Sequence, residues 1–367
     1  MLDDLEVSPV SRSRVDQVDF ANLGFGDIYS DHMFSMEYEG GCWQRPRIMP
    51  YGPVSLEPAN ATLHYGQSVF EGLKAFRGKD GNARIFRPRM NHRRLLESCK
   101  RLCVPPVPEA VFLEAIDRLV RMDQAWIPEA RGQALYVRPI IFSTEAQLEV
   151  RPSATYRFLV ITAPVRAYFD AGMAAIALKV EESYTRSAPG GTGYAKTAGN
   201  YAASLYPGEV ARSEGYAQVL WLDGVEHRYV EEVGAMNIFF HLGDRIVTPE
   251  LRGTILPGIT RESVIALLED RGYTVEQRRI AIDELAGAIK DGTLREAFGA
   301  GTAAIISPVG RMAYRDEELV INDDAAGPLT RELYDAITDI QRGESADRHG
   351  WVRVVKLNTP AGERAAP

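Results

Sequence analysis

The chain is poor in cysteine. Cys42, Cys99 and Cys103 are the three thiols in 367 residues, an odd and sparse set that argues against a disulfide framework. Cys99 and Cys103 lie one helical turn apart, but His92 is the sole imidazole near them and no second Cys/His pair follows at ligand spacing. Both are therefore read as buried core thiols, and no metal is expected. Basic charge is short as well: 42 Lys and Arg stand against 50 Asp and Glu, a net charge of -8. Nucleic acids and anionic membranes are bound chiefly through a Lys and Arg excess, so neither is the expected partner. No segment reaches the roughly 18 consecutive apolar residues of a membrane helix, and "MLDDLEVSPVSRSRVDQ" lacks a charged stretch followed by an apolar run. The cytoplasm is the default compartment. Repeats and low-complexity tracts are missing, and only the first dozen residues and the tail "NTPAGERAAP" look frayed.

What is present is material for large cores. An apolar content of 45% over 367 residues suits about two domains. In the first half, strand-like runs ("ARIFRP", "ALYVRPIIF", "YRFLVITAPV") alternate with helical ones, the signature of an α+β or α/β domain over residues 1–165. "NHRRLLESCKRL" offers Asn91 as a helix cap, and "PEAVFLEAIDRLV" places Phe112, Ala115, Ile116 and Leu119 on one face. A turn-rich connector over residues 166–175 leads to the strand "AAIALKVEE" and a second domain over 176–367. There "QVLWLDG", "AMNIFFHLGDRIVTPE" and "REAFGAGTAAIISPVG" read as short strands, and the helix "TRESVIALLEDRG" ends at Gly272, where a C-terminal glycine belongs.

The stretch "GGTGYAKTAGNY", Gly190 to Tyr201, misses the phosphate-loop pattern by one residue, because Ala195 stands where a glycine precedes the lysine. A methyl group there obstructs the close wrapping of backbone amides around phosphates. The preceding "KVEESYTRSAP" is also not the buried apolar strand such a loop follows. Lys196 then has three other readings: a solvated surface lysine, a point charge for phosphate, or an amine that forms an imine. Small neighbours leave room for a flat ligand, and Tyr194 and Tyr201 can shield the amine from water and lower its pKa. An imine lysine needs an electron sink, of which pyridoxal 5'-phosphate is the commonest. That cofactor requires a carboxylate at its ring nitrogen, a donor at its phenolic oxygen, and an arginine with helix N-terminal amides at its phosphate. "LPGITRES" offers the helix start, "GAGTAAIISP" a second small-residue turn at Thr302 and Ala303, and "VEEVGAMN" the carboxylates Glu231 and Glu232.

Taken together, "LHYGQSVFEGLKAFR", "FRPRMNHRRLLES", "LYVRPIIF", "GGTGYAKTAGNYAASL", "VLWLDG", "EEVGAMNIFF", "LPGITRES" and "FGAGTAAIISPVG" resemble the branched-chain amino acid aminotransferases, pyridoxal phosphate enzymes of fold type IV. The resemblance runs from "GFGDIYSDHMF" to "VGRMAYRDEELVI". It implies two domains with the cofactor site at their interface, and it turns "VLWLD", whose Asp223 would hold magnesium in a nucleotide-loop reading, into a structural strand. By the same resemblance Lys196 carries the cofactor and shuttles the proton, Tyr201 bonds the phenolic oxygen, and Glu232 pairs with the ring nitrogen. Arg94, Ile259, Thr260 and Thr302 hold the phosphate; the family's phosphate arginine directly precedes the apolar pair, which selects Arg94 over Arg93. Arg186 is implied to lie close to the site.

Phe70, Tyr65, Tyr136 and Tyr201 would form an aromatic substrate wall, the amides of Thr302 and Ala303 would receive the α-carboxylate, and Arg138 would help bind a distal carboxylate. The implied reaction transfers the amino group of L-leucine, L-isoleucine or L-valine to 2-oxoglutarate, in a chain that is at least a homodimer. Two departures stand out. Ala235 replaces a threonine of many relatives, and the residues after Thr302 lack the paired cysteines of the mammalian ones. D-amino acid transaminases, 4-amino-4-deoxychorismate lyases and (R)-amine transaminases share the lysine and the glutamate and remain rival readings within the fold.

Overall fold

The computed structural model describes residue 2 and residues 4–166 and 173–357. The chain divides into two compact units, one of residues 1–167 with 339–367 and the other of residues 168–338. Most of the expected connector and the whole tail "NTPAGERAAP" lie outside the described residues. The C-terminal segment from residue 339 belongs to the first unit rather than the second. Its strand Val352–Val355 pairs antiparallel with Ala83–Phe86, a long-range register that local patterning does not encode.

The first unit is built on strands β1 (Glu6–Val7), β2 (His32–Glu39), β3 (Cys42–Pro50), β4 (Ser68–Phe70), β5 (Leu73–Arg77), β6 (Ala83–Phe86), β7 (Ala134–Ser143) and β8 (Tyr156–Val165). They join in the order β1-β3-β2-β8-β7-β5-β6, with β4 also on β7. Within the opening dozen residues, expected to be frayed, Glu6 and Val7 pair parallel with Arg47 and Ile48. Helix α1 (Ala61–Tyr65) is followed by α2 (Pro88–Leu102) and α3 (Glu109–Met122). As its apolar spacing predicts, α3 buries Phe112, Ala115, Ile116 and Leu119, which share a core with Leu135, Val137 and Ile141 of β7.

Alternation along β7 then turns Tyr136, Arg138 and Ile140, all partly exposed, to the opposite face. Helix α2 starts earlier than expected: Pro88 takes its first turn, where a missing N–H costs nothing. Asn91 is therefore an interior helix residue and not a cap. The cysteines also divide, because Cys99 is buried but Cys103 and Cys42 are exposed.

The second unit carries β9 (Ile176–Glu181), β10 (Gln218–Leu222), β11 (Val230–Val233), β12 (Met236–Leu242), β13 (Arg245–Thr248), β14 (Thr274–Gln277), β15 (Leu294–Gly301), β16 (Ile305–Tyr314) and β17 (Glu317–Val320). The order β11-β10-β9-β16-β15-β12 closes through a β11–β12 pairing into a ring of six strands. Closure leaves no open edge within the ring, from which β13–β14 and β17 extend. Its interior is filled by residues such as Leu178, Leu220, Val233, Ile238, Phe240 and Val309. Helices α4 (Ala198–Ala202), α5 (Leu205–Ser213), α6 (Ile259–Asp270) and α7 (Ile282–Lys290) decorate this unit, while α8 (Pro328–Arg342) spans the boundary at residue 338. Gly272 ends α6 with a φ of 81°, the left-handed turn that favours glycine.

Candidate active site

In the second unit the site begins at Lys196. Residues 190–197 form a turn-rich loop that ends at Thr197, the cap of α4. The loop is pinned by Asn200, whose amide donates to the carbonyls of Thr192 and Ala195, both at 2.8 Å. Lys196 is thereby presented beside the first turn of α4, and its Nζ donates to the Tyr201 hydroxyl at 2.7 Å. Ala195 is buried, so the methyl group that disqualifies a phosphate loop serves here as packing.

Consecutive strand residues point to opposite faces, yet β11 buries both Glu231 and Glu232. Glu232 is 3% exposed and ion-paired with Arg186. Burial pushes its carboxyl up to about 7, against the opposing pull of Arg186, the Leu256 amide and Lys196. Arg186 also donates to the carbonyls of Thr254 at 2.9 Å and Gly193 at 3.2 Å, tying the lysine loop to β11. Asn237, opposite Glu232 in the β11–β12 register, donates to the Leu256 carbonyl at 2.9 Å just before α6. Glu231 accepts a short bond from the Thr254 hydroxyl, and burial raises its carboxyl too.

Helix α6 opens with Gly258 as its cap and Ile259 and Thr260 as its first residues, both buried. A Cβ on Gly258 would lie 1.9 Å from Asn237 Oδ1, so any larger residue would displace the Asn237 side chain from its bond to the Leu256 carbonyl. Thr302 and Ala303 occupy the turn between β15 and β16, which ends at Ile305 with a φ of 65°. A β-branched residue in that region is strained, the mark of a turn held by its surroundings. Asp223 has a purely structural role: its carboxylate accepts from the backbone amides of Val225, Glu226, Arg228 and Tyr229 at 2.8–3.2 Å. Burial pushes that carboxyl up, but the amides outweigh it and hold it below the usual range.

The other residues expected from the sequence are in the first unit. Arg94 of α2 is buried and forms a two-pronged ion pair with Glu71, Nε to Oε1 and Nη2 to Oε2, both at 2.8 Å. Phe70, Tyr136 and Arg138 are brought together: Arg138 donates to the Tyr136 hydroxyl at 3.1 Å and lies 4.8 Å above the Phe70 ring. Tyr65 is set differently. It is 47% exposed and its hydroxyl donates to the Leu148 carbonyl at 2.6 Å.

Sequence reasoning missed Lys74, which pairs with Tyr136 across β5 and β7. The residue is 3% exposed and its amine is brought down to about 7 by burial. The signal was a lysine set among Leu73, Ala75 and Phe76 in a strand.

An amine hydrogen-bonded to a phenol, a buried acid braced by an arginine and a glycine-led helix start are the kinds of group that a pyridoxal phosphate site requires. The model of the class IV amino-transferases matches residues 68–312, and the chain belongs to that family. Enzymes of this class use pyridoxal phosphate to transfer amino groups.

Within the class the chain is 52% identical to branched-chain-amino-acid aminotransferase 2 of Bacillus subtilis (strain 168), over 92% of this chain and 93% of that one. It is similar in structure to the branched-chain amino acid aminotransferase of Escherichia coli, with a TM-score of 0.73 at 28% identity, covering 89% of this chain and 99% of the other. The T.th. branched-chain amino acid aminotransferase complexed with N-(5'-phosphopyridoxyl)-L-glutamate gives a TM-score of 0.71 at 28% identity, covering 88% and 98%.

Proposed function

We propose that this protein is a branched-chain-amino-acid transaminase, which moves the amino group of L-leucine, L-isoleucine or L-valine to 2-oxoglutarate and returns L-glutamate. The observation that carries the reading is the 52% identity to a branched-chain enzyme over nearly the full chain, joined to a Lys196–Tyr201 and Glu232–Arg186 geometry that suits the cofactor. Pyridoxal 5'-phosphate, when bound, supplies a carbon that the Lys196 amine can hold covalently and a ring that takes up electrons from the substrate α-carbon.

The chain's own residues do the rest. The free Lys196 amine would take the proton from the substrate α-carbon and pass it to the cofactor carbon that it otherwise holds. Tyr201, 2.7 Å from Nζ, orients that amine. Glu232 keeps a proton at the ring nitrogen, and a carboxyl near 7 backed by Arg186 is suited to share one there. Arg94, Thr302 and the opening residues Ile259 and Thr260 of α6 bind the phosphate, the last two where helix amides converge. The amides of Thr302 and Ala303 receive the α-carboxylate.

Phe70 and Tyr136 belong to the side-chain pocket, and Arg138, which lies against both, binds the distal carboxylate of glutamate and 2-oxoglutarate. Selection by an apolar pocket is coarse, about 1–3 kcal/mol per methylene, so all three aliphatic substrates react. We further infer at least a homodimer, supported by the apolar exposure of Leu63, Tyr65, Leu148 and Val150.

The test is the visible spectrum of the cofactor-loaded protein. L-leucine is expected to bleach the band and 2-oxoglutarate to restore it, with D-alanine inert. Bleaching by D-alanine alone would move the chain to the D-amino acid transaminases, and a protein that develops no band with added cofactor would remove Lys196 from its role.

A further inference from the structure

A guanidinium is planar, with its N–H donors in fixed directions, so gripping one edge sets where the rest of the group points. In the first unit Glu71 grips Arg94 in this way, through Nε and Nη2 at 2.8 Å each. Glu71 is fully buried and is itself immobilised. Its Oε2 accepts from Asn91 Nδ2 at 2.8 Å and from the Gly72 amide at 3.1 Å, and its own amide donates to the Pro139 carbonyl at 2.8 Å. Asn91 donates to the Gly72 carbonyl as well, at 3.1 Å. Asn91 and Arg94 are three residues apart on α2 and so share a helix face. The acid in the link between β4 and β5 is thus held by the sheet and by the helix that carries its arginine.

We propose that Glu71 is the positioning residue of Arg94, fixing the guanidinium so that its remaining donors meet the cofactor phosphate; this rests on the assignment of Arg94 to that phosphate. Stability alone is a poor reason for the arrangement, because a buried ion pair rarely outweighs the desolvation of its two charges. Net charge is a poor reason too, because a neutralised arginine attracts a phosphate less than an unpaired one. Orientation is what the pair supplies. Asn91, read from sequence as a helix cap, becomes the brace of this pair.

The experiment uses the full-length apo-protein reconstituted with pyridoxal 5'-phosphate and compares wild type, Glu71→Asp, Arg94→Gln and the double variant. Glu71→Asp keeps the buried negative charge but withdraws the carboxylate by one methylene. It is expected to weaken cofactor binding about tenfold and to shift the phosphorus-31 resonance of the bound phosphate. In the Arg94→Gln background the same change is expected to cost nothing further, the mark of a residue acting through another.

Asn91→Ala, which leaves both ion-pair partners in place, is expected to give a smaller loss in the same direction, and circular dichroism checks that each variant is folded. Wild-type affinity and resonance in Glu71→Asp, with Arg94→Gln weakened, would overturn the proposal. Equal losses from Glu71→Asp in both backgrounds would overturn it as well. Unchanged binding in Arg94→Gln would instead remove the assignment beneath it.

Discussion

The Lys196 amine donates to the Tyr201 hydroxyl at 2.7 Å, across the start of a helix whose cap, Thr197, directly follows the lysine. On the proposed assignment the phenol would orient the amine for its proton transfers. Lys196→Ala is expected to lower kcat by at least about 100-fold to 10,000-fold, the range lost with a general acid–base group, while the cofactor still binds noncovalently. Tyr201→Phe keeps the ring and loses only the hydrogen bond. A bond to a charged group contributes about 1.5–3 kcal/mol, so kcat should fall roughly 10-fold to 150-fold. Single-turnover kinetics with L-leucine checks both, and turnover by Lys196→Ala near the wild-type rate would remove the lysine from the mechanism.

Arg186 serves three acceptors, the Glu232 carboxylate and the carbonyls of Thr254 and Gly193. Arg186→Gln strands a buried carboxylate, an event that typically costs about 3–5 kcal/mol. Urea unfolding at pH 8 is expected to show a loss of that order. Arg186→Lys should recover little of it, because a single ammonium cannot reproduce the planar fork. Full recovery by lysine would mean that charge, and not geometry, is what the site needs.

The contrast between Glu232 and Glu71 marks what was legible in the sequence. Lys196 and the Glu231–Glu232 pair sit in local motifs whose residue types carry their own chemistry, the family resemblance singles out Tyr201 and Glu232, and α3 and α6 follow apolar spacing with Gly272 as a stop. Glu71 was invisible as a partner of Arg94, because the two stand 23 positions apart and the chain folds through two strands before the side chains meet. The same holds for the β11–β12 closure and for the return of Val352–Val355 to the first unit. Pairings of that span depend on register across the sheet, which no short window encodes. Asn91 was misread for a related reason: its residue type fits a cap, but Pro88 opens the helix a turn earlier and a buried carboxylate claims the amide.

Glu232 also makes stability depend on pH. Its carboxyl titrates at about 7 in the folded protein, against 4.5 as the ordinary value, so the folded state binds the extra proton. The stability this group contributes is fully present below about 4.5 and is lost as pH rises through about 7. For the apo-protein, the unfolding free energy of wild type relative to Glu232→Gln should fall by about 3 kcal/mol over that window and stay level above it. A constant offset from leaving Arg186 unpaired does not alter the slope. Urea titrations at several pH values check it, and a slope of the opposite sign would mean that Arg186 outweighs burial.

Gly193 tests whether the lysine loop and β11 are one rigid assembly. A Cβ at this position would stand 2.0 Å from Ser187 Oγ and 2.1 Å from the Thr254 carbonyl oxygen. The serine can rotate away. The Thr254 carbonyl cannot, because it accepts from Arg186 while the hydroxyl of the same residue is bonded to Glu231. Gly193→Ala must therefore push the loop off its partners, at a cost of about 1–3 kcal/mol as for other overpacked sites. Gly199→Ala is the matched control, since a Cβ there meets nothing within 4 Å and lies in α4, where alanine is favoured over glycine by roughly 0.5–1 kcal/mol. Thermal melting should place Gly193→Ala below wild type and Gly199→Ala at or above it. If Gly193→Ala melts with the wild type, the loop has slack at the Thr254 carbonyl, and Arg186 cannot be the clamp that sets the distance between Lys196 and Glu232.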